Sequence, residues 1–463
     1  MHPRIFIGLL ILTLPTPARA QALGPSGEGV ASAAMAGAGV ASLVSPAALW
    51  VNPAAVAHGQ GGMSLGLGMA SHQRSVRRFR PLDPLPEARD AVGVRPLGHL
   101  ALVQPLPLWG GRISLALGYR TGLNNGSDYP VTYEAAGAPG KSQPRADPAR
   151  YLGTSMDLQE HLAYLGLALR WRWLQAGAAL ELGHLRLRHQ RTLWVGAAAD
   201  IGAMEDPARD MEATLELRTP SVAPGAVVGL RVAPLPYLAA GVSLRLPVTH
   251  HLGGTASFTA PRQTPTGYSA VTTRDGSASL DLRLPLRLRG GLSAGWPLLR
   301  ASVDMAWARW SSSGDLAPTV QDARLVLAGG AKAGREVPLA LLPLGMALRD
   351  DISVHAGLGS ELPGGFITLR GGYAYHHGAS DPDLPGTVAL DLKRHVIGLG
   401  VEVAIKPVRL GIALVQSLGV PLDTEAKGAT LDNPLSPPTT SNVGEGRYEA
   451  KATRVIVELQ AGW

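Results

Sequence analysis

The chain is expected to be all-β, a transmembrane antiparallel β-barrel of about 14 strands with an N-terminal plug, or hatch, in its lumen. Three observations predict this. Period-two hydrophobic segments recur throughout the chain after residue 60. The links between them alternate strictly between short apolar turns and long polar segments. The chain finishes "TRVIVELQAGW", a strand with Val455, Val457, Leu459, Ala461 and Trp463 on one face and Arg454, Ile456, Glu458, Gln460 and Gly462 on the other. An apolar outer row closed by a bare aromatic is how outer-membrane barrels end, and it implies the barrel assembly machinery as a partner.

Residues 1–20 are expected to be a secretory signal. Arg4 precedes the apolar run "IFIGLLILTL" at 5–14, then come Pro15, Pro17 and "ARA" before Gln21, with cleavage after Ala20. That run is too short for a spanning helix, which needs about 20 apolar residues, and no later segment approaches that length. With 0 Cys, an exported chain must draw its stability from a large closed architecture rather than from disulfides. The net charge of +7 fits either a set of solvated basic loops or the anionic surroundings of outer-membrane lipid and lipopolysaccharide, and nothing in the chain points to nucleic acid.

The barrel is assigned to residues 61–463. Its segments begin near Met63, His99, Arg112, His161, Leu174, Ala226, Leu238, Ser279, Arg300, Asp351, Gly365, Arg394, Val408 and Thr453. Each has the length of a tilted membrane strand, roughly 8 to 12 residues. In one of them Leu280, Leu282, Leu284, Leu286 and Leu288 alternate with Asp281, Arg283, Arg287 and Arg289, which reads as one lipid face and one wet face. The short links "PLPLWGG", "RWRWLQ", "APLPY", "GWPLL", "ELPGG" and "KPV" carry Trp109, Trp171, Trp173 and Trp296, and Trp463 falls at the same end. Indole rings favour the membrane interface, so this end is assigned to the periplasm of a Gram-negative cell. "DMEATLELR" at 210–218 also alternates, and is either an extension of the barrel or a hairpin in a long loop.

Residues 21–60 do not alternate. The stretch "SAAMAGAGVASLVSPAALWVNPAAVAHGQGG" is small, apolar and Gly-rich, as a segment lying close against a lumen wall must be. Asn52 before Pro53 and Ala54 can turn the chain, since Pro fixes φ and the Asn side chain can accept a bond from the backbone downstream. Here "AGAGVASLVSPAALWVNPAAVA" resembles the N-terminal hatch of the FadL-type outer-membrane transporters of long-chain fatty acids and aromatic hydrocarbons, with Asn52, Pro53 and Ala54 at its Asn-Pro-Ala signature. "LRLPLRLRGGLSAGW", "DMAWARWSSS" and "LRGGYAYHHGASDPDLPGTVALDLKRHVIGLGVEV" are similar to later strands of that family, in order. The resemblance implies capture of a hydrophobic small molecule near the cell exterior and its sideways release into the membrane.

Candidate ligand-binding residues lie in two apolar stretches of long loops: Trp194, Val195, Ile201 and Met204 in "LWVGAAADIGAM", and Leu339, Leu341, Leu342, Leu344 and Met346 in "VPLALLPLGMAL". Exposed apolar patches of this kind mark binding surfaces, and the two could equally pack on each other. Arg283, Arg287 and Arg370, read as facing the lumen, are candidate partners for a ligand carboxylate or members of a wall network with Asp281, Asp304, Glu402 and Glu458. The basic run "HQRSVRRFR" at 72–80, just past the first strand, is either a solvated loop or placed among lipopolysaccharide phosphates. His250–His251 and His376–His377 point to opposite faces of their strands, so no metal site is expected, nor any cofactor. No hydrolase or phosphate-loop motif is readable, so the chain is expected not to be an enzyme. Two functions follow: passive uptake of a hydrophobic small molecule, or a structural or adhesive role for the long extracellular loops.

Overall fold

The computed structural model describes residues 29–58, 60–78, 87–91, 93–108, 112–129, 132–134, 144–146, 148–194, 210–264, 267–314, 317–330, 334–339, 348–383, 390–425, 430–432, 440–442 and 444–463. The expected signal segment lies outside them.

Fourteen antiparallel strands close into a barrel. They are β1 Gly62–Arg78, β2 Val94–Leu106, β3 Ile113–Asp128, β4 Ser155–Trp171, β5 Leu174–Trp194, β6 Asp210–Leu235, β7 in two pieces (Leu238–Arg245 and Val248–Thr259), β8 likewise (Gly276–Leu284 and Arg287–Gly295), β9 Leu299–Ala308, β10 Asp351–Glu361, β11 Ile367–His376, β12 Arg394–Ile405, β13 Val408–Gly419 and β14 Gly446–Gly462. Each pairs with its sequence neighbours. Closure comes from β14 on β1, in register from Gly62↔Gly462 to Arg78↔Gly446. The amide of Trp463 donates to Gly61 O at 3.2 Å and its indole to Gln104 Oε1 at 3.0 Å, which fastens the chain end to the rim beside β2. The strands run further toward the long-loop end than their alternation suggests, and "DMEATLELR" is the first third of β6, an extension of the barrel.

The outer surface explains the alternation. Leu67 on β1, Leu165 and Leu167 on β4, Leu180 and Leu182 on β5, Leu292 on β8, Leu399 on β12 and Leu410 on β13 are all exposed, an apolar band suited to lipid. Toward the long loops the outward row turns polar: Asp157, Gln159 and His161 on β4, then His184, Arg186 and Arg188 on β5. Tyr119 Oη and Tyr373 Oη hydrogen-bond His161 Nδ1 and His395 Nδ1, both at 2.7 Å, forming an aromatic rim at that edge. At the short-turn end Trp171, Trp173, Trp296 and Trp463 stand exposed. The protein is thus an outer-membrane barrel. A tag inserted at exposed Asp322, beyond β9, should be reachable by antibody on intact cells, and one at Gly364, in the turn between β10 and β11, only after the outer membrane is opened. Labelling in the reverse pattern would invert the orientation.

The face that Arg283 was expected to occupy is reversed by a break in its strand. In the first piece of β8, Leu280, Leu282 and Leu284 are buried inward while Asp281 and Arg283 are exposed, but beyond Pro285 it is Leu288 that is exposed and Arg287 and Arg289 that turn inward. The break at Pro285 and Leu286 reverses the faces, so Arg283 points outward instead of into the lumen. β7 does the same at Leu246 and Pro247: Ser243 is buried before the break, and His250 and Leu252 after it. Proline cannot donate to the ladder and marks such irregularities. The basic run at 72–80 is likewise divided: within β1, His72, Arg74 and Arg78 are buried toward the lumen and only Arg77 of its described basic residues is exposed. The run is thus part of a strand, which sends alternate side chains to opposite faces, and Phe79 and Arg80 lie outside the described residues.

Candidate functional site

Residues 29–57 are buried inside the barrel almost throughout, folded as a one-turn helix, α1, Val30–Ala34, and two 3-10 turns, Pro46–Trp50 and Pro53–Val56. This segment carries few polar side chains, so its backbone is held by the wall. Val30 N donates to Glu458 Oε2 at 2.5 Å. Gly39 N and Val40 N both donate to Asp304 Oδ2, at 2.6 and 2.8 Å. Arg289 donates to Gly37 O at 2.6 Å, Arg231 to Ala41 O at 2.7 Å and Arg170 to His58 O at 2.9 Å. His58, at the end of the plug, has its pKa lowered by burial and by the charges of Arg170 and Arg231. Inward acids and arginines of the strands thus meet the unpaired amides and carbonyls of the plug, as buried backbone groups require.

The Asn-Pro-Ala motif has a definite geometry. Asn52 caps the turn Pro53–Val56 by accepting from Ala54 N at 3.1 Å, as sequence predicts. Its amide then donates to Val40 O at 2.9 Å and to Leu230 O on β6 at 3.1 Å, tying two parts of the plug to the wall. The wall is glycine where this happens. A side chain at Gly229 would collide with Asn52, and one at Gly177 with the backbone of Pro53.

Beyond the plug, toward the long loops, the lumen changes character. A polar tier comes first: Arg245 pairs with Glu181 at 2.5 Å and lies 3.7 Å from Glu160, while Arg120 donates to Tyr164 Oη at 3.0 Å. Beyond it the inward faces of β4 to β8 become apolar. Met156, Leu158, Leu185, Leu187, Met211, Leu215, Leu217, Leu252, Phe258, Leu280, Leu282 and Leu284 form one buried cluster with Trp310, Leu325, Leu327 and Leu339 from the covering segments. In this part of the barrel the usual membrane pattern is inverted, with the outward row polar and the inward row apolar. A separate cavity of about 70 Å³ sits above α1, lined among others by Arg287, Arg289, Trp310, His355, His376 and Arg394.

The expected site residues divide sharply. Leu339 is in the apolar cluster. Trp194 ends β5 and its side chain lies outside the described residues, as do Val195, Ile201, Met204, Leu341, Leu342, Leu344 and Met346. Arg370 is held by Glu402 at 2.5 Å as a wall pair. Arg287 lines the cavity and makes no hydrogen bond or ion pair to a described residue. His250 is buried inward and His251 outward beside Asp281 at 2.7 Å, while His376 lies 3.5 Å from Asp351. Sequence reasoning missed the strand-borne apolar cluster, whose signal was the proline in the middle of β7 and of β8.

The wall is irregular in two places. In β3, Gly122 and Leu123 bulge opposite Glu160, which accepts the freed Leu123 amide at 2.8 Å. From Arg120 to Ser127 the strand is buried on both faces, so it leans inward, and its ladder to β2 stops at His99↔Arg120. Side chains stitch that gap: Asn124 donates to Pro96 O at 2.8 Å and Arg95 donates to Asn124 at 2.8 Å and to Asp157 at 2.6 Å. The other irregularity separates β6 from β7.

No protein-family model and no curated protein matches the chain. Solved structures do. A FadL homologue of Pseudomonas aeruginosa aligns with TM-score 0.68 and 16% identity over 96% of this chain and 99% of its own. The Pseudomonas putida toluene transporter TodX aligns with TM-score 0.64 and 18% identity over 94% and 99%, and the monoaromatic hydrocarbon channel CymD with TM-score 0.58 and 17% identity over 96% and 99%. The fold is therefore that of FadL-type barrels.

Proposed function

We propose that this barrel is a passive channel for hydrophobic small molecules across the outer membrane, and that its solutes are long-chain fatty acids or related hydrocarbons. The observation that carries this is the apolar cluster on the inward faces of β4 to β8 beside a cavity at the plug that is lined by Arg287, Arg289, Arg394 and Arg454 together with Asp351 and Asp391. A hydrocarbon chain transferred to an apolar interior gains about 0.8 kcal/mol per methylene, so ten methylenes supply roughly 8 kcal/mol before ordering costs. Arg287 makes no ion pair with a described residue, although Asp351 lines the same cavity, and its guanidinium is suited to a carboxylate. The inward lean of β3 supports sideways release, because among the described residues the gap between β2 and β3 is bridged by the side chains of Arg95 and Asn124. Two structural neighbours are named as a toluene transporter and a monoaromatic hydrocarbon channel, which supports a hydrophobic small molecule as the solute.

Uptake of radiolabelled hexadecanoic acid and of toluene by cells with and without the gene tests the reading, and no difference for either solute would favour the structural or adhesive alternative. Arg287→Gln separates the two solutes. Losing a charge-assisted hydrogen bond costs about 1.5–3 kcal/mol, so affinity for the fatty acid should fall roughly tenfold or more while toluene uptake is unchanged. Equal loss for both would remove Arg287 from the carboxylate role.

A further inference from the structure

Two further cavities lie at the short-turn end of the lumen, beneath the plug. One, of about 250 Å³, is roofed by plug residues Ser42 to Ser45 and reaches the turn between β8 and β9. The other, of about 350 Å³, lies inside the turns that join β4 to β5 and β6 to β7, and Arg300 lines both. Together they have the size of a small-molecule site, roughly 300–1,000 Å³. Alternation along the strands puts cations there. Arg300 shares the inward face of β9 with buried Ser302 and Asp304, and Arg409 shares that of β13 with Gly411, where a Cβ would meet Val30 of the plug. Nearer the turns than the plug reaches, both arginines are exposed.

Five arginines line the two cavities, Arg172, Arg231, Arg300, Arg370 and Arg409, against the carboxylates of Glu361 and Glu402. Arg370 is held by Glu402, and Arg231 donates to Ala41 O and to Gln175 Oε1. The side chains of Arg172, Arg300 and Arg409 make no hydrogen bond or ion pair with a described residue, which leaves three cations beside the one remaining acid, Glu361. A concave surface of one sign, set in low-dielectric walls, concentrates counter-ions. The rest of the lining is not that of a bare anion site. Leu43 and Val44 of the plug and Leu298 of the turn bring apolar surface beside the arginines, and Val44 is exposed. Ser42 Oγ, in the same lining, is buried without a hydrogen-bond partner among the described residues. An inorganic anion has no use for the apolar surface, and a neutral hydrocarbon none for the arginines. A single-chain carboxylate uses both.

We infer that the short-turn mouth is a second binding site, taking a single-chain amphiphilic carboxylate whose head meets Arg300 and Arg409 and whose chain lies on Leu43 and Val44. It is separated by the plug from the cavity above α1, and its class of ligand follows from its own lining rather than from the channel reading. The probe is decanoic acid bearing a diazirine, irradiated with the purified full-length protein in phosphatidylcholine vesicles. Plug residues 42–45 are the reporter, because the plug lies inside the barrel, away from probe dissolved in the bilayer. The acid should label them, and Arg300→Gln with Arg409→Gln should lower that labelling roughly tenfold or more, as loss of charge-assisted hydrogen bonds requires. Arg309→Gln, at the opposite end of β9, should leave it unchanged. Labelling unchanged in the double variant overturns the site, as does equal labelling by the matching diazirine alcohol. Protection by inorganic phosphate as strong as that by unlabelled decanoate would make it a bare anion site and overturn the inference. Loss of labelling in phosphatidylglycerol vesicles would make a lipid headgroup the occupant and overturn it equally. The alcohol, phosphate and lipid arms use the wild-type protein, and they decide the matter even where the double variant does not assemble. The readout is binding, so cells without gene-dependent uptake would refute the channel and leave this site to be judged by its own labelling.

Discussion

Deleting residues 29–58 is expected to turn a barrel that barely conducts into a steady, water-filled pore in planar bilayers. The reason is the size of the cylinder. About eight strands enclose a space that side chains alone can fill, and fourteen enclose considerably more. Here that surplus is occupied by the plug, whose buried residues include Val40, Leu49, Ala54 and Val56. Once it is removed, Asp304, Glu458, Arg231 and Arg289 lose the backbone groups they hold and become the hydrated lining of a channel. Charges that regain water impose no penalty on the folded state, so the shell should still assemble, with unaltered heat-modifiable gel mobility. A deleted form that assembles and conducts no better than the intact protein would mean that the lumen is blocked by something other than this segment.

Asp304→Ala should have the largest effect of any single substitution on the seating of the plug. One carboxylate oxygen of Asp304 receives both Gly39 N and Val40 N, and the side chain is almost wholly buried on β9. Truncation leaves two buried amides without an acceptor. At roughly 1–3 kcal/mol for each unsatisfied group, the docked plug loses about 2–6 kcal/mol relative to an undocked one. The expected result is intermittent conductance and protease cleavage near residues 37–45 in an otherwise intact barrel. Asp304→Asn keeps an acceptor oxygen and should lose much less. Silent, protease-resistant Asp304→Ala protein would show that the remaining anchors at Val30, Ala41 and Asn52 suffice.

The strand number, the short turns, the terminal strand and the Asn-Pro-Ala cap could all be read along the chain because each is local. Side-chain alternation is a property of one extended strand, and Asn52 caps a turn two residues away. The apolar cluster could not be read that way. The loop stretches at 193–204 and 337–348 looked like the binding surface because they were the conspicuous apolar segments, whereas the described apolar cluster is built mainly from strand residues such as Leu158, Leu187, Leu215 and Leu282, together with Leu339.

Alternation by itself determined that each strand has two unlike faces, and with the pattern of links it determined a barrel. Which face turns inward was decided only by tertiary structure, since an apolar row suits lipid within the membrane and the interior beyond it. Leu282 and Leu288 belong to the same run and face opposite ways, and Arg283 and Arg287 exchange sides with them, because the chain steps at Pro285. The gap between β2 and β3 was equally hidden. A missing ladder bond is a relation between two strands, and neither Pro96 nor Asn124 carries a mark of the other until the barrel brings them together.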